Sequence, residues 1–181
     1  MTATERPGLA LVATLRKRLT DSPVETLTDP GALGAWLTSQ GLTAGQCTEA
    51  DLDATRTLRE AIYEAVAAAA TDRRPADAAL GTLNTAAARS ATQRKLLWDK
   101  KTGYHLAAGP ETRNDVLAEI ARDTVDLLTG PERARLHQCE ADTCGTVFVT
   151  SGGGRPRRWC SSATCGNRER VRAYRNEKAR A

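Results

Sequence analysis

The sequence predicts a mainly α fold: a helical N-terminal domain carrying a short β-hairpin, then a small treble-clef-like or ribbon-like zinc finger with four cysteine ligands that ends in a basic helix. Three observations predict it. Aromatic residues are only 4% of the 181 positions, and the alanine- and leucine-rich makeup favours helix over sheet. Apolar residues recur at helical spacing in several separate stretches. Near the end, Cys139 and Cys144, then Cys160 and Cys165, form two pairs of identical internal spacing. The expected division places the helical domain at 1–134 and the finger at 135–181. One core of moderate size is within reach of a chain this long, with the finger as a metal-held appendage.

Leu9, Leu11, Val12, Leu15 and Leu19 form a helical stripe that should stop near Asp21, Ser22 and Pro23. Asp29 and Pro30 open a second helix by the cap-then-proline pattern, with Leu33, Trp36 and Leu37 on one face and Trp36 read as core. Thr48 with Asp51 resembles a capping box ahead of a longer helix running through Leu52, Leu58, Ile62, Tyr63 and Val66 to Ala70. Glu60 and Glu64 fall on its polar side and should be solvated. Residues 72–75 break that helix, and Ala76 to Arg89 should form another, with Leu80 and Leu83 inward.

Lys95 to Leu106 reads as strand, turn, strand, with Gly103 late in the turn. The cations Arg94, Lys95, Lys100 and Lys101 there are read as edge solvation. His105 is read as an ordinary half-buried side chain. Thr112 to Leu128 has the apolar stripe of an amphipathic helix, through Val116, Leu117, Ile120, Val125 and Leu128, and Gly130 and Pro131 end it.

The cysteines carry the clearest chemistry. Zn²⁺ prefers four soft ligands in a tetrahedron, and two thiolate pairs from different parts of a chain close that shell. Cys139, Cys144, Cys160 and Cys165 are therefore the expected ligands of one structural Zn²⁺, with no open position for catalysis. Gly145 and Gly166 follow the second cysteine of each pair, where a knuckle often needs positive φ. Two disulfides are the competing reading, but Cys47 would be left over, and Met1 to Pro7 show no export signal. His137, two residues before Cys139, is a rival ligand better placed as the end of a preceding helix.

Arg158, Trp159, Cys160 and Ser161, then Cys165, Gly166, Asn167 and Arg168, resemble the signature of the CGNR zinc-finger family. Arg135, Leu136, Cys139, Cys144, Gly145 and Phe148 fall where its pattern would put them. The resemblance implies an N-terminal helical domain of the ABATE type joined to the finger, and a stress-induced transcriptional regulator. Relatives tend to carry Asp and Asn in the first helix; Ala10 and Ala13 stand there in this chain. Relatives also tend to place Asp after the conserved Phe, whereas Val149, Thr150 and Ser151 follow Phe148 here, ahead of the glycine run 152–154.

Charge points to a partner for the finger. Residues 139–181 hold nine Lys/Arg against four Asp/Glu, while the rest of the chain is nearly neutral. Arg155, Arg157 and Arg158 in the loop, with Arg168, Arg170, Arg172, Arg175 and Lys178 in the tail, are the candidate nucleic-acid contacts, since guanidinium forks suit phosphate and guanine edges. Val171 and Tyr174 would pack on the zinc module and leave Arg168, Arg172 and Arg175 outward. Trp159 is read as packing on that module.

Double-stranded DNA is the expected partner, with a small-molecule effector or a homodimer for the helical domain. The rivals are an acidic protein docked by the basic helix, and RNA, for which few aromatics are available. No catalytic signature is present, and two histidines leave little for acid–base work, so an enzyme is not expected. No apolar run nears the roughly 20 residues that cross a bilayer, so a cytoplasmic protein is expected.

Overall fold

The computed structural model describes residues 6–42, 45–89, 96–106, 113–150 and 156–179. Its longest helix, Glu49–Ala70, is the post against which most of the chain is packed. The capping box at its start is formed: Thr48 Oγ1 accepts from Asp51 N at 3.2 Å, and the Asp51 carboxylate accepts from Thr48 N at 2.8 Å. Leu52, Leu58, Ile62 and Val66 repeat at helical spacing and are all buried.

In chain order the elements are α1 (Pro7–Val12), β1 (Leu15–Arg16), β2 (Val24–Glu25), α2 (Pro30–Ser39), α3 (Glu49–Ala70) and α4 (Asp77–Ala87). Then come β3 (Leu96–Asp99), β4 (Gly103–Leu106), α5 (Arg113–Thr129), β5 (Leu136–Gln138), β6 (Val147–Val149) and α6 (Asn167–Lys178). The fold is mainly helical, with three separate antiparallel strand pairs among the described residues, β1 with β2, β3 with β4 and β5 with β6. Helices α1, α2, α4 and α5 surround α3, and one apolar core joins Leu11, Leu33, Ile62, Leu83, Val116 and Ile120. No helix among the described residues is long and apolar enough to cross a membrane.

The first helix is shorter than its apolar stripe implies. It stops at Val12, where the Thr14 hydroxyl donates to Leu11 O at 2.6 Å. The Thr14 carbonyl accepts from Thr26 N at 3.0 Å, and Arg18 N donates to Cys144 O at 3.2 Å, so neither group serves a continuing helix. The chain turns into the β1–β2 ribbon, and Leu19 ends up 52% exposed. Gly8 lets α1 lie against α5: a Cβ there would meet Thr124 Oγ1 at 2.3 Å.

Helix α2 begins as expected, with Asp29 Oδ1 accepting from Ala32 N at 2.8 Å, while Trp36 is half-buried against the core. In α4, Leu83 is buried and Leu80 half-buried. In α5, Leu127 is fully buried and Leu128 only partly, one position off the expected stripe. The β3–β4 hairpin places Trp98 opposite Tyr104, both exposed. His105 has a partner that the sequence reading did not give it, Asp99 Oδ2 at 3.2 Å. Arg94, Lys95 and Thr112 lie outside the described residues.

Glu60 is not simply solvated. Arg59, only 4% exposed, donates to both carboxylate oxygens of Glu25 at 2.7 Å and to Glu60 Oε1 at 2.8 Å, and Arg18 donates to Glu60 Oε2 at 2.6 Å. Burial opposes ionisation of Glu25 and Glu60. The hydrogen bonds from Arg59 to the first, and from Arg18 and Arg59 to the second, outweigh it and hold both carboxyls below their usual range. Such a group stabilises the fold in full above its unfolded value, near 4.5, and that contribution is lost as the pH falls through the lowered folded value. Urea denaturation of Glu25→Gln at neutral pH should show a loss of about 1–2 kcal/mol against wild type. The gap should close as the pH drops below about 4.5; a gap that persists unchanged in acid would show that Glu25 ionisation is not its source.

Candidate metal centre and basic helix

Two short loops bring the four cysteines together. Cys139 follows β5 and hydrogen-bonds through its N–H to Thr146 O at 2.8 Å, which closes the first knuckle across the β5–β6 pair. Within it, Cys144 N donates to Ala141 O at 2.9 Å. The second pair is turned by Ser161, whose hydroxyl caps Thr164 N at 3.1 Å, into one π-helical turn over Ser162–Gly166 that leads into α6. Trp159 closes the module, half-buried on its cluster and against Gly166, which agrees with the packing reading.

All four Sγ atoms lie within 4.8 Å of one another, and none is in a disulfide. Cys144 to Cys160 and Cys160 to Cys165 are each 3.6 Å, close to the edge of about 3.8 Å for a tetrahedron of Zn–S bonds. The donor set is suited to a dication. The hydrogen bond shared with Cys160 draws the Cys144 thiol down to about 4, against burial. Cys160 is pushed up by that same contact, and Cys165 is pushed up to about 11, chiefly by burial. Four sulfurs at this spacing, three buried and Cys160 half-buried, ionise together only around a cation, and a soft tetrahedral set selects zinc. This is a site for one structural Zn²⁺.

Supporting donors surround it. Cys160 N points at Cys139 Sγ at 3.4 Å, and Arg168 Nη2 donates to Cys165 Sγ at 3.3 Å. Such contacts orient thiolates and disperse their charge. His137 is no part of the cluster. It sits in β5 rather than at a helix end, and its ring stacks beside Phe148.

Residues 5–131 match the ABATE family, described as "putative stress-induced transcription regulator", and residues 135–178 match the CGNR zinc finger. The chain belongs to the ABATE family. Neither description is that of an enzyme. No curated protein matches the chain. In this ABATE protein the first-helix alanines are placed differently: Ala10 is buried inside α1, whereas Ala13 is half-buried beyond its end.

The tail helix is turned around relative to the sequence reading. No residue of α6 is buried; Val171 and Tyr174 are 41% and 63% exposed. Arg168 and Arg172 face the knuckle instead, and Arg175 does not. Arg168 also donates to Thr143 Oγ1 at 3.1 Å, and Arg172 pairs with Asp142 and, at 3.1 Å, with Glu169. Arg157 lies 4.4 Å over the Phe148 ring, while Arg158 pairs with Glu140 at 2.6 Å and covers Trp159. Arg170 and Arg175 are exposed with no ion pair among the described residues, and Lys178 sits 6.0 Å from the Tyr174 ring. Arg155 lies outside the described residues. The signal that was available and unused is the acid content of the first knuckle, where Glu140 and Asp142 stand between the ligands.

The ABATE protein seats its first knuckle directly on the helical body. Gly145 has φ +71, and a Cβ there would fall 3.1 Å from Arg18 Cβ and 3.2 Å from Leu19 Cγ. Gly145→Ala should lower stability by about 1–3 kcal/mol, measured by thermal unfolding of the zinc-loaded protein, while zinc content stays at one ion per chain. An unchanged melting temperature would refute the seating.

Proposed function

We propose that this ABATE-family protein is a cytoplasmic, DNA-binding transcription regulator of a stress response. The finger, 135–181, meets double-stranded DNA, and the helical domain, 1–134, senses a small molecule or mediates dimerisation. The metal has a structural role, because four thiolates leave no open coordination position. The observation that carries this reading is an unburied cationic helix held by its root. Arg168 and Arg172 tie α6 to the first knuckle through Thr143 and Asp142, and the opposite face offers Arg170, Tyr174 and Lys178 at successive turns to solvent.

The proposed contacts then divide by role. Arg170, Arg175 and Lys178 meet phosphates directly, with Tyr174 between them as an apolar wedge. Arg157, Arg158, Arg168 and Arg172 add field while holding the module together, and Arg155 adds its charge to that field. Such binding is salt-dependent, because each neutralised phosphate releases counterions.

The triple variant Arg170→Gln/Arg175→Gln/Lys178→Gln tests this by fluorescence anisotropy on a mixed-sequence DNA duplex across a salt series. These side chains are exposed, so zinc content and the melting temperature should match wild type. Affinity should fall steeply, and the slope of log K against log salt should shrink by about 2 to 3. Equal affinity and equal slope in the variant would refute α6 as the contact surface.

A further inference from the structure

Between the helical body and the zinc module lies a cleft of about 1140 Å³. Arg16 of β1 and Lys17 just beyond it line the cleft from the helical body, and Arg157 and Arg168 line it from the zinc module, beside Cys144, Cys160 and Cys165. Val24, Ala13 and Ala163 give it accessible apolar surface, with Leu9 and Phe148 buried behind them. Among the described residues, no carboxylate lines it. Elsewhere in the chain Arg59, Arg158 and Arg172 each face a carboxylate.

The four cations are not equally free. Arg168 is engaged with Cys165 Sγ, and Arg157 lies on the Phe148 ring. Arg16 and Lys17 are exposed and have no ion pair among the described residues. Even with the formal −2 of a tetrathiolate zinc centre set against them, the cleft keeps a net charge of about +2. A concave site with apolar lining and convergent charge of one sign is the usual form of a small-molecule pocket, and the volume suits a ligand rather than a duplex.

We infer that this cleft binds a small amphiphilic anion, a carboxylate, sulfonate or phosphate on an apolar body. Arg16 and Lys17 take the charged group, and Val24, Ala13 and Ala163 take the body. The inference deepens the ligand-sensing part of the proposed function and rests on that reading only for its regulatory consequence. A ligand here touches both the turn after α1 and the loops of the zinc module, so it links the state of the helical domain to the placement of the finger.

The experiment uses the full zinc-loaded chain without DNA and titrates 8-anilino-1-naphthalenesulfonate against its uncharged parent, N-phenyl-1-naphthylamine. Wild type should bind one sulfonate probe per chain and prefer it over the parent by about tenfold or more. Arg16→Gln/Lys17→Gln should lose about tenfold in sulfonate affinity and keep its weak hold on the parent. Arg73→Gln/Arg74→Gln, which removes the same charge outside the cleft, should bind the sulfonate as wild type does. Equal affinity for the two probes in wild type would overturn the inference, as would sulfonate binding indifferent to Arg16 and Lys17. Thermal unfolding keeps the variants comparable, since neither pair is buried. Because no DNA is present, a failure here leaves the DNA reading standing, and a failure on the duplex leaves this one standing.

Discussion

Four thiols within 4.8 Å of one another cannot all ionise in a partly buried site unless a cation shares it. The sulfurs of this chain are drawn to that spacing by ordinary local means: a β5–β6 pair, an Ala141 turn and a Ser161 cap. None of these is strong alone. Zinc binding to such sets releases roughly 10–16 kcal/mol, which is enough to hold a segment too small for its own core. The module's apolar cluster consists of little more than the cysteines themselves with Ala141, Phe148 and Trp159. The metal is therefore its core in the energetic sense.

That clip matters beyond the finger because the knuckle is also a docking surface. Leu136 and Val147, on the strands that carry it, belong to the core of the helical body. Cys144 O accepts from Arg18 N, Arg18 lies 4.2 Å over the Tyr63 ring, and Gln138 reaches Tyr63 Oη at 3.4 Å. Arg18 in turn binds Glu60, which shares Arg59 with Glu25. One continuous set of contacts thus runs from the β1–β2 ribbon through α3 to a zinc ligand. A change at the turn after α1 has a short physical route to the finger.

What the sequence made legible was what is local. The Asp29 and Thr48 caps, the hairpin turn and the twin cysteine spacing each concern residues within a few positions of one another, and each is formed. The family resemblance carried the two-part organisation for the same reason, since its motif residues cluster around the ligands. What escaped depends on distant partners. The stripe from Leu9 to Leu19 has helical spacing, yet Thr26 and Cys144 claim the backbone groups that would continue the helix. Glu60 looks solvated until Arg18 and Arg59 arrive from elsewhere. In α6 the period separates two faces but does not say which one turns inward. An apolar pair usually does; here a zinc-bound sulfur and the acids of the knuckle attract the arginines more strongly.

The claim on which the rest depends is the tetrathiolate zinc centre, and zinc K-edge X-ray absorption of the purified, reduced chain tests it most directly. The account predicts a single shell of four sulfur scatterers at about 2.3 Å, with no nitrogen or oxygen in the first coordination sphere. A shell containing nitrogen or oxygen, or fewer than four sulfurs, would contradict it.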